Sequence, residues 1–180
     1  MRILVDIDGV VADLVGALCS VLRVHGFDRY PKDITTYRFQ DTLSPDEQGV
    51  VDAAMRSPGF VASMPWYPGA PAFLGSLQKC GEVVGVTRPY EHSRTWVHER
   101  EQWLQGYIDK TVHTAHKELV AGDFLIEDST DNAVKWAAAH PRGTAYLLAR
   151  PWVRAVSTPN IEWVPDYAAI LRRIHMRGAV

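Results

Sequence analysis

The sequence predicts an α/β protein: a doubly wound, mostly parallel sheet carrying a small helical cap. Short apolar runs rich in β-branched residues alternate with stretches of helical periodicity. Three of these runs end in chemically able polar residues, Asp6, Thr87 and Glu127-Asp128, at the carboxyl edge where parallel sheets bind ligands. The stretch 14–66 holds two helical patterns with no convincing strand between them. It reads as a helical cap inserted into a core made of residues 1–13 and 67–180.

Ile3-Leu4-Val5 is brief and β-branched, the pattern of a buried parallel strand. After an acidic loop, Val11, Leu14, Val15, Leu18 and Leu22 recur at helical spacing, and Gly26 stands where a left-handed cap is expected. Residues 27–43, aromatic and broken by Pro31, read as loop. Ser44-Pro45-Asp46-Glu47 is a helix start, with Ser44 as cap, Pro45 in the first turn and Glu47 completing a capping box. That helix should run to about Arg56 and stop at Ser57-Pro58-Gly59.

Pro68-Gly69-Ala70-Pro71 punctuates the chain before a helix with Phe73, Leu74 and Leu77 on one face. Glu82 to Val86 is a strand ending at Thr87. A helix over 91–105 places Trp96, Val97, Arg100, Trp103 and Leu104 on one side. Strands follow at Thr111-Val112-His113 and at Asp123 to Ile126, then a helix over 130–139 and a strand at Ala145 to Leu148. Pro165 opens a last helix with Ile170, Leu171 and Ile174.

Composition narrows the function classes. Nineteen Lys+Arg against 21 Asp+Glu give a formal charge of −2, so no basic excess exists to hold a polyanion, and no stable nucleic-acid complex is expected. One small anion needs only a local positive pocket. No run approaches the ~18 apolar residues of a membrane span. The opening MRILVDIDGV meets two acids within eight residues, which spoils the apolar centre of a signal peptide. Cys19 and Cys80 are too few for a disulfide framework, and the histidines form no zinc-binding pattern. The expectation is a cytoplasmic protein, monomer or homodimer, acting on a small molecule.

If the three strands are neighbours, Asp6, Asp8, Thr87, Arg88, Lys117 and Asp128 converge on one sheet edge. Asp6 and Asp128 crowd negative charge together, which a hard divalent ion such as Mg²⁺ relieves while leaving room for a phosphate oxygen. Lys117 adds a point charge for the same anion and Thr87 a hydroxyl donor, a set suited to phosphoryl transfer. A carboxylate facing phosphorus can act as nucleophile and form an aspartyl-phosphate. Asp8 reaches the same pocket only if the chain turns, and Gly9 supports a turn; its carboxyl group can protonate the leaving oxygen and then activate water.

These residues carry a family resemblance. Asp6-Ile7-Asp8-Gly9-Val10-Val11-Ala12-Asp13 resembles the DxDGVxAD opening of haloacid dehalogenase superfamily phosphatases. Val84-Gly85-Val86-Thr87 resembles their second motif, Lys117 the third, and Leu125-Ile126-Glu127-Asp128 the fourth. Within the superfamily the chain is similar to the 5′-nucleotidase, deoxy type C (5′(3′)-deoxyribonucleotidase) family. The cues are Pro65-Trp66-Tyr67-Pro68-Gly69-Ala70, the Trp96-to-Trp103 helix, and Lys117-Glu118-Leu119-Val120 leading into Asp123-Phe124.

The resemblance implies a Rossmann-like core, hydrolysis of (deoxy)nucleoside monophosphates and Mg²⁺ as cofactor. It implies that Asp6 is nucleophile and metal ligand, that Asp8 is acid/base and metal ligand through its backbone carbonyl, and that Asp128 is the remaining carboxylate ligand. Thr87 and Lys117 would hold the phosphoryl group. Glu127 departs from the commoner Asp. Arg88 departs from a small hydroxyl residue; it either grips phosphate or forms a surface ion pair. A base needs a flat apolar wall, for which Phe39, Phe60, Trp66 and Tyr67 are candidates and Trp66 the first to test. The alternatives are a phosphatase of another small phosphomonoester, such as a sugar phosphate, or a non-catalytic phospho-acceptor or nucleotide-binding module.

Overall fold

A computed structural model describes residues 1–178. Its strands are β1 (Arg2–Val5), β2 (Glu82–Thr87), β3 (Lys110–His113), β4 (Phe124–Glu127), β5 (Thr144–Leu148) and β6 (Ile161–Val164). They form one sheet in the order β3-β2-β1-β4-β5-β6, and every neighbouring pair is parallel. The order reverses on either side of β1, so β1 and β4 lie side by side with crossovers leaving in opposite directions, the arrangement that opens a crevice at the strands' carboxyl ends.

The helices are α1 (Leu14–Val24), α2 (Pro45–Arg56), α3 (Ala70–Gln78), α4 (Trp96–Leu104), α5 (Thr130–Ala139) and α6 (Tyr167–Gly178). Strand residues alternate between two cores because successive side chains point to opposite faces. Ile3, Val5, Ile126, Tyr146 and Leu148 join the core built with α1, α3 and α6. Leu4, Val84, Val86, Leu125, Ala145 and Leu147 face Ala133, Trp136 and Ala137 of α5. Both faces are covered, which is why these strands read as continuous apolar runs.

Local signals act where expected. Ser44 and Glu47 form the capping box of α2, and Asp13 caps α1 by accepting the Gly16 amide. Gly26 has φ +86°; the Gly26 amide bonds Arg23 and the Phe27 amide bonds Leu22, closing α1 in a Schellman arrangement. Val11 lies in the turn before α1, not in the helix. The helix expected over 91–105 begins only at Trp96, because residues 90–93 form a turn in which the Ser93 amide bonds the Tyr90 carbonyl. Val97 is 40% exposed and stands off the buried side of α4.

Strand β6 was not expected. Ile161 and Val164 are buried while Trp163 is half exposed. So short a run, interrupted by Glu162, becomes a strand by pairing along the edge of β5. Among the described residues no helix is long and apolar enough to cross a membrane. Both cysteines are free, Cys19 in the core.

Residues 14–66 contain α1, α2 and two short 3-10 turns, with no strand of the sheet. The chain enters and leaves this stretch through adjacent segments: the Asp13 amide bonds the Pro65 carbonyl at 2.8 Å and the Tyr67 amide bonds the Val11 carbonyl at 2.9 Å. The far side of the stretch is fastened to α4. Glu99, buried, accepts the amides of Gly59, Val61 and Ala62 at 2.8–3.1 Å, and the Trp103 indole donates to the Met64 carbonyl at 2.8 Å.

Candidate active site

The site starts at the end of β1. The Asp6 amide continues the ladder to the Ile126 carbonyl of β4 at 2.9 Å, and then the chain turns. The amides of Val11 and Ala12 both return to the Ile7 carbonyl, and the Gly9 amide bonds Ala12. Gly9 sits at φ +83°, and a Cβ there would lie 1.8 Å from Oδ2 of Asp128. Glycine is required on both counts, conformation and space. The tight turn puts Asp6 and Asp8 on the same edge.

Asp6, Glu127 and Asp128 are all buried, and one carboxylate oxygen from each lies within 4.8 Å of the others. Lys117, raised on a 3-10 turn (Lys117–Leu119), places its Nζ 2.7 Å from Oδ2 of Asp6 and 2.7 Å from Oε2 of Glu127. Burial and the neighbouring Glu127 push the Asp6 carboxyl well above the ordinary aspartate range, against the pull of Lys117. Burial and Asp6 push Asp128 up to about 7. Burial opposes the charge on Lys117, but Asp6 and Glu127 outweigh it and raise the ammonium.

One lysine therefore serves three carboxylates, leaving excess negative charge away from water, which is costly without a further cation. Oδ2 of Asp128 accepts the Trp152 indole at 2.9 Å, while Oδ1 is buried without a partner. Oxygen donors, surplus charge and an orphaned carboxylate oxygen fit a hard divalent cation. Glu127 stands inside this group, its Oε1 also accepting the amides of Asp128 and Ser129. It is more than a loop acid.

Asp8 lies two residues from Asp6 but faces elsewhere. Its Oδ1 is 2.5 Å from Nη2 of Arg100, and its Oδ2 accepts the Thr87 hydroxyl at 3.4 Å. Arg100 is wholly buried, with the rings of Trp96 and Trp103 at 5.7 and 5.3 Å, and its Nε and Nη1 have no partner. Sequence reasoning missed Arg100 as a site residue. The available signal was a cation on the apolar side of a helix, where a charge needs a partner.

The other candidates divide. Thr87 and Lys117 are buried at the sheet edge, and Arg88 next to Thr87 is exposed, with no ion pair among the described residues. Phe39 is a correction: its ring is only 5% exposed and packs in the main core, so it offers no wall to a base. Trp66 is partly exposed; Trp103 stacks on it with centroids 3.6 Å apart and planes 15° apart, covering one ring face. Asp13 and Asp131 serve helix starts. Tyr37, which was not singled out, is half exposed; burial of its phenol, then the charges of Asp128 and Asp6, raise its pKa.

Comparison with known proteins places the chain in a family. Residues 1–170 match the model of the family described as 5′ nucleotidase, deoxy (Pyrimidine), cytosolic type C protein. A Bordetella bronchiseptica protein provisionally named a 5′(3′)-deoxyribonucleotidase is 29% identical over 173 residues, covering 91% of each chain. The human cytosolic-type 5′(3′)-deoxyribonucleotidase is 25% identical over 149 residues, covering 71% of this chain and 70% of its own. In fold, the chain is similar to a haloacid dehalogenase-like family hydrolase from Xanthomonas campestris, with TM-score 0.61, 11% identity, and coverage of 99% and 97%. The match over nearly the whole chain shows that the chain, whose fold is that of haloacid dehalogenase-like hydrolases, belongs to the 5′ nucleotidase, deoxy, cytosolic type C family and is a phosphoric monoester hydrolase.

Proposed function

We propose that the protein hydrolyses (deoxy)nucleoside monophosphates in a Mg²⁺-dependent reaction through an aspartyl-phosphate on Asp6. The observation that carries this reading is the split between two carboxylates of one turn: Asp6 in an electron-rich, cation-ready cluster with Lys117, and Asp8 held apart by Arg100. The nucleotide class is supported by the family and by the relatives' names.

Mg²⁺ would be held by the carboxylates of Asp6 and Asp128 and by the backbone carbonyl of Asp8, and when bound it would neutralise charge on the phosphate. A carboxylate oxygen of Asp6 attacks phosphorus, and the bond to the ester oxygen breaks. The Asp8 carboxyl group gives its proton to that leaving oxygen, releasing the nucleoside. Lys117 and Thr87 hold the phosphoryl oxygens, and Arg88, exposed beside Thr87, adds a second positive contact. In the second half Asp8 takes a proton from water, the water oxygen attacks phosphorus, and Asp6 is released with inorganic phosphate. Arg100, 2.5 Å from Oδ1 of Asp8, holds that carboxyl group in place through both halves.

Residues 14–66 act in this reading as the cap over a core of 1–13 and 67–180, excluding water and selecting the substrate. The antiparallel joint at 11–13 and 65–67 is its stalk. The protein works in the cytoplasm, as a monomer or homodimer. A phosphate-release screen across dNMPs, NMPs and sugar phosphates, with Mg²⁺ and with EDTA, tests the proposal. Turnover of deoxynucleoside monophosphates that vanishes with EDTA is expected; preference for sugar phosphates, or full activity in EDTA, overturns it.

A further inference from the structure

The connection between β5 and β6 has no part in the steps above, yet it reaches the site at two points. Trp152 is buried, 7% exposed, and its single N–H donates to Oδ2 of Asp128. The carboxylate is thereby wedged between the indole and Gly9, whose missing Cβ would overlap it. One oxygen is thus committed and the other, Oδ1, is left unpartnered. Two residues earlier, Arg150 donates through Nε to the Gly9 carbonyl at 2.6 Å and through Nη2 to the Val10 carbonyl at 3.2 Å. Its guanidinium lies 4.0 Å over the Tyr67 ring, and the Tyr167 hydroxyl also donates to Val10. The segment is pinned to the start of α5, where the Thr130 hydroxyl bonds both the carbonyl and the amide of Arg154.

We propose that this connection is a positioning element of the site: Trp152 fixes the carboxylate of Asp128 so that Oδ1 faces the cation, and Arg150 fixes the turn that carries Asp8. The inference rests on the reading of the site as a divalent-cation phosphatase. A rigid indole with one donor is suited to the task, because it holds a carboxylate oxygen without supplying charge that would compete with the cation. Partners behind a metal ligand set its orientation, and their loss weakens metal binding about 10–100-fold. The two residues act on different steps. Trp152 governs the cation and Arg150 governs the acid/base, although only two positions separate them.

The test separates these effects with Mn²⁺ as probe, its free concentration read by electron paramagnetic resonance. Trp152→Phe keeps a buried ring and loses the N–H; it should weaken Mn²⁺ binding about 10-fold while the metal-free protein unfolds within a few degrees of wild type. Arg150→Met keeps an unbranched side chain and loses the guanidinium; it should bind Mn²⁺ within twofold of wild type and lose about 10-fold in kcat with KM little changed. Wild-type Mn²⁺ affinity in Trp152→Phe, or wild-type kcat in Arg150→Met, overturns the corresponding half and leaves the phosphatase reading intact. A wild-type protein that binds no Mn²⁺ and releases no phosphate overturns that reading as well. Should Trp152→Phe fail to fold, the indole ¹⁵N–H resonances of the wild type carry the test. A buried one must move on Mg²⁺ addition, and no movement in any of them overturns the proposal.

Discussion

Asp6 and Asp8 leave the same strand end two residues apart, yet they occupy opposite electrostatic settings. Asp6 is buried among Glu127 and Asp128, shares Lys117 with Glu127, and is pushed towards protonation. Asp8 is partly exposed and paired with the buried guanidinium of Arg100. The same residue type meets different surroundings within one turn, and in the proposed reaction the crowded carboxylate is the one placed to take a metal and a phosphate.

The strongest way to break this contrast is the same substitution at both positions. Asp6→Asn should abolish phosphate release, a loss on the order of 10³-fold or more, while leaving the metal-free protein as stable or more stable, because a crowded buried charge is removed. Asp8→Asn should also cost activity, but it leaves Arg100 buried without an anion and should lower stability by about 1–3 kcal/mol in denaturant melts. Equal stability changes for the two variants would refute the contrast.

Glu99 of α4, which accepts the amides of Gly59, Val61 and Ala62, sharpens the comparison. Burial pushes its carboxyl up, but the amides of Gly59, Ala62 and Val61 outweigh this and hold it below the usual glutamate range. Its contribution is present above that range and is lost as the pH falls through its lowered pKa. Glu99→Gln should cost about 1–3 kcal/mol at neutral pH, raise proteolysis in 57–64 before the sheet core is cut, and narrow its deficit in acid.

The smallest expected effect is thermal. With Asp128 raised to about 7, the metal-free fold is favoured below the ordinary aspartate range and loses that advantage as pH rises through 7. A cation removes the repulsion that appears, so Mg²⁺ should raise Tm by a few degrees at about pH 8 and by less at about pH 5.5. An equal gain at both values would mean that Asp128 does not face the ion.

Much of this molecule was legible in the chain. The capping box of α2, the left-handed close of α1 and the run from Glu82 to Thr87 are local, and local chemistry is written in consecutive residues. Asp6, Thr87, Lys117 and Asp128 were legible because each ends or precedes a strand, and parallel strands share one carboxyl edge. Strand β6 was not, since its four residues gain their conformation from the edge of β5. Phe39 looked like a binding aromatic because an aromatic in a loop has the same spelling whether it meets a ligand or the core, and it meets the core.

By itself, then, the sequence determined the fold class, the order of the strands along the chain and the acids that end them. These follow from periodicity, caps and strand termini, all set by near neighbours. Only the tertiary structure decided which charged groups meet which partners: Arg100 with Asp8 across 92 residues, Arg150 with the Gly9 carbonyl across 141, and the Trp152 indole with Asp128 across 24. Partners so far apart are chosen by packing in a medium where an unmet charge is costly, and that cost is felt only once the chain has closed around them.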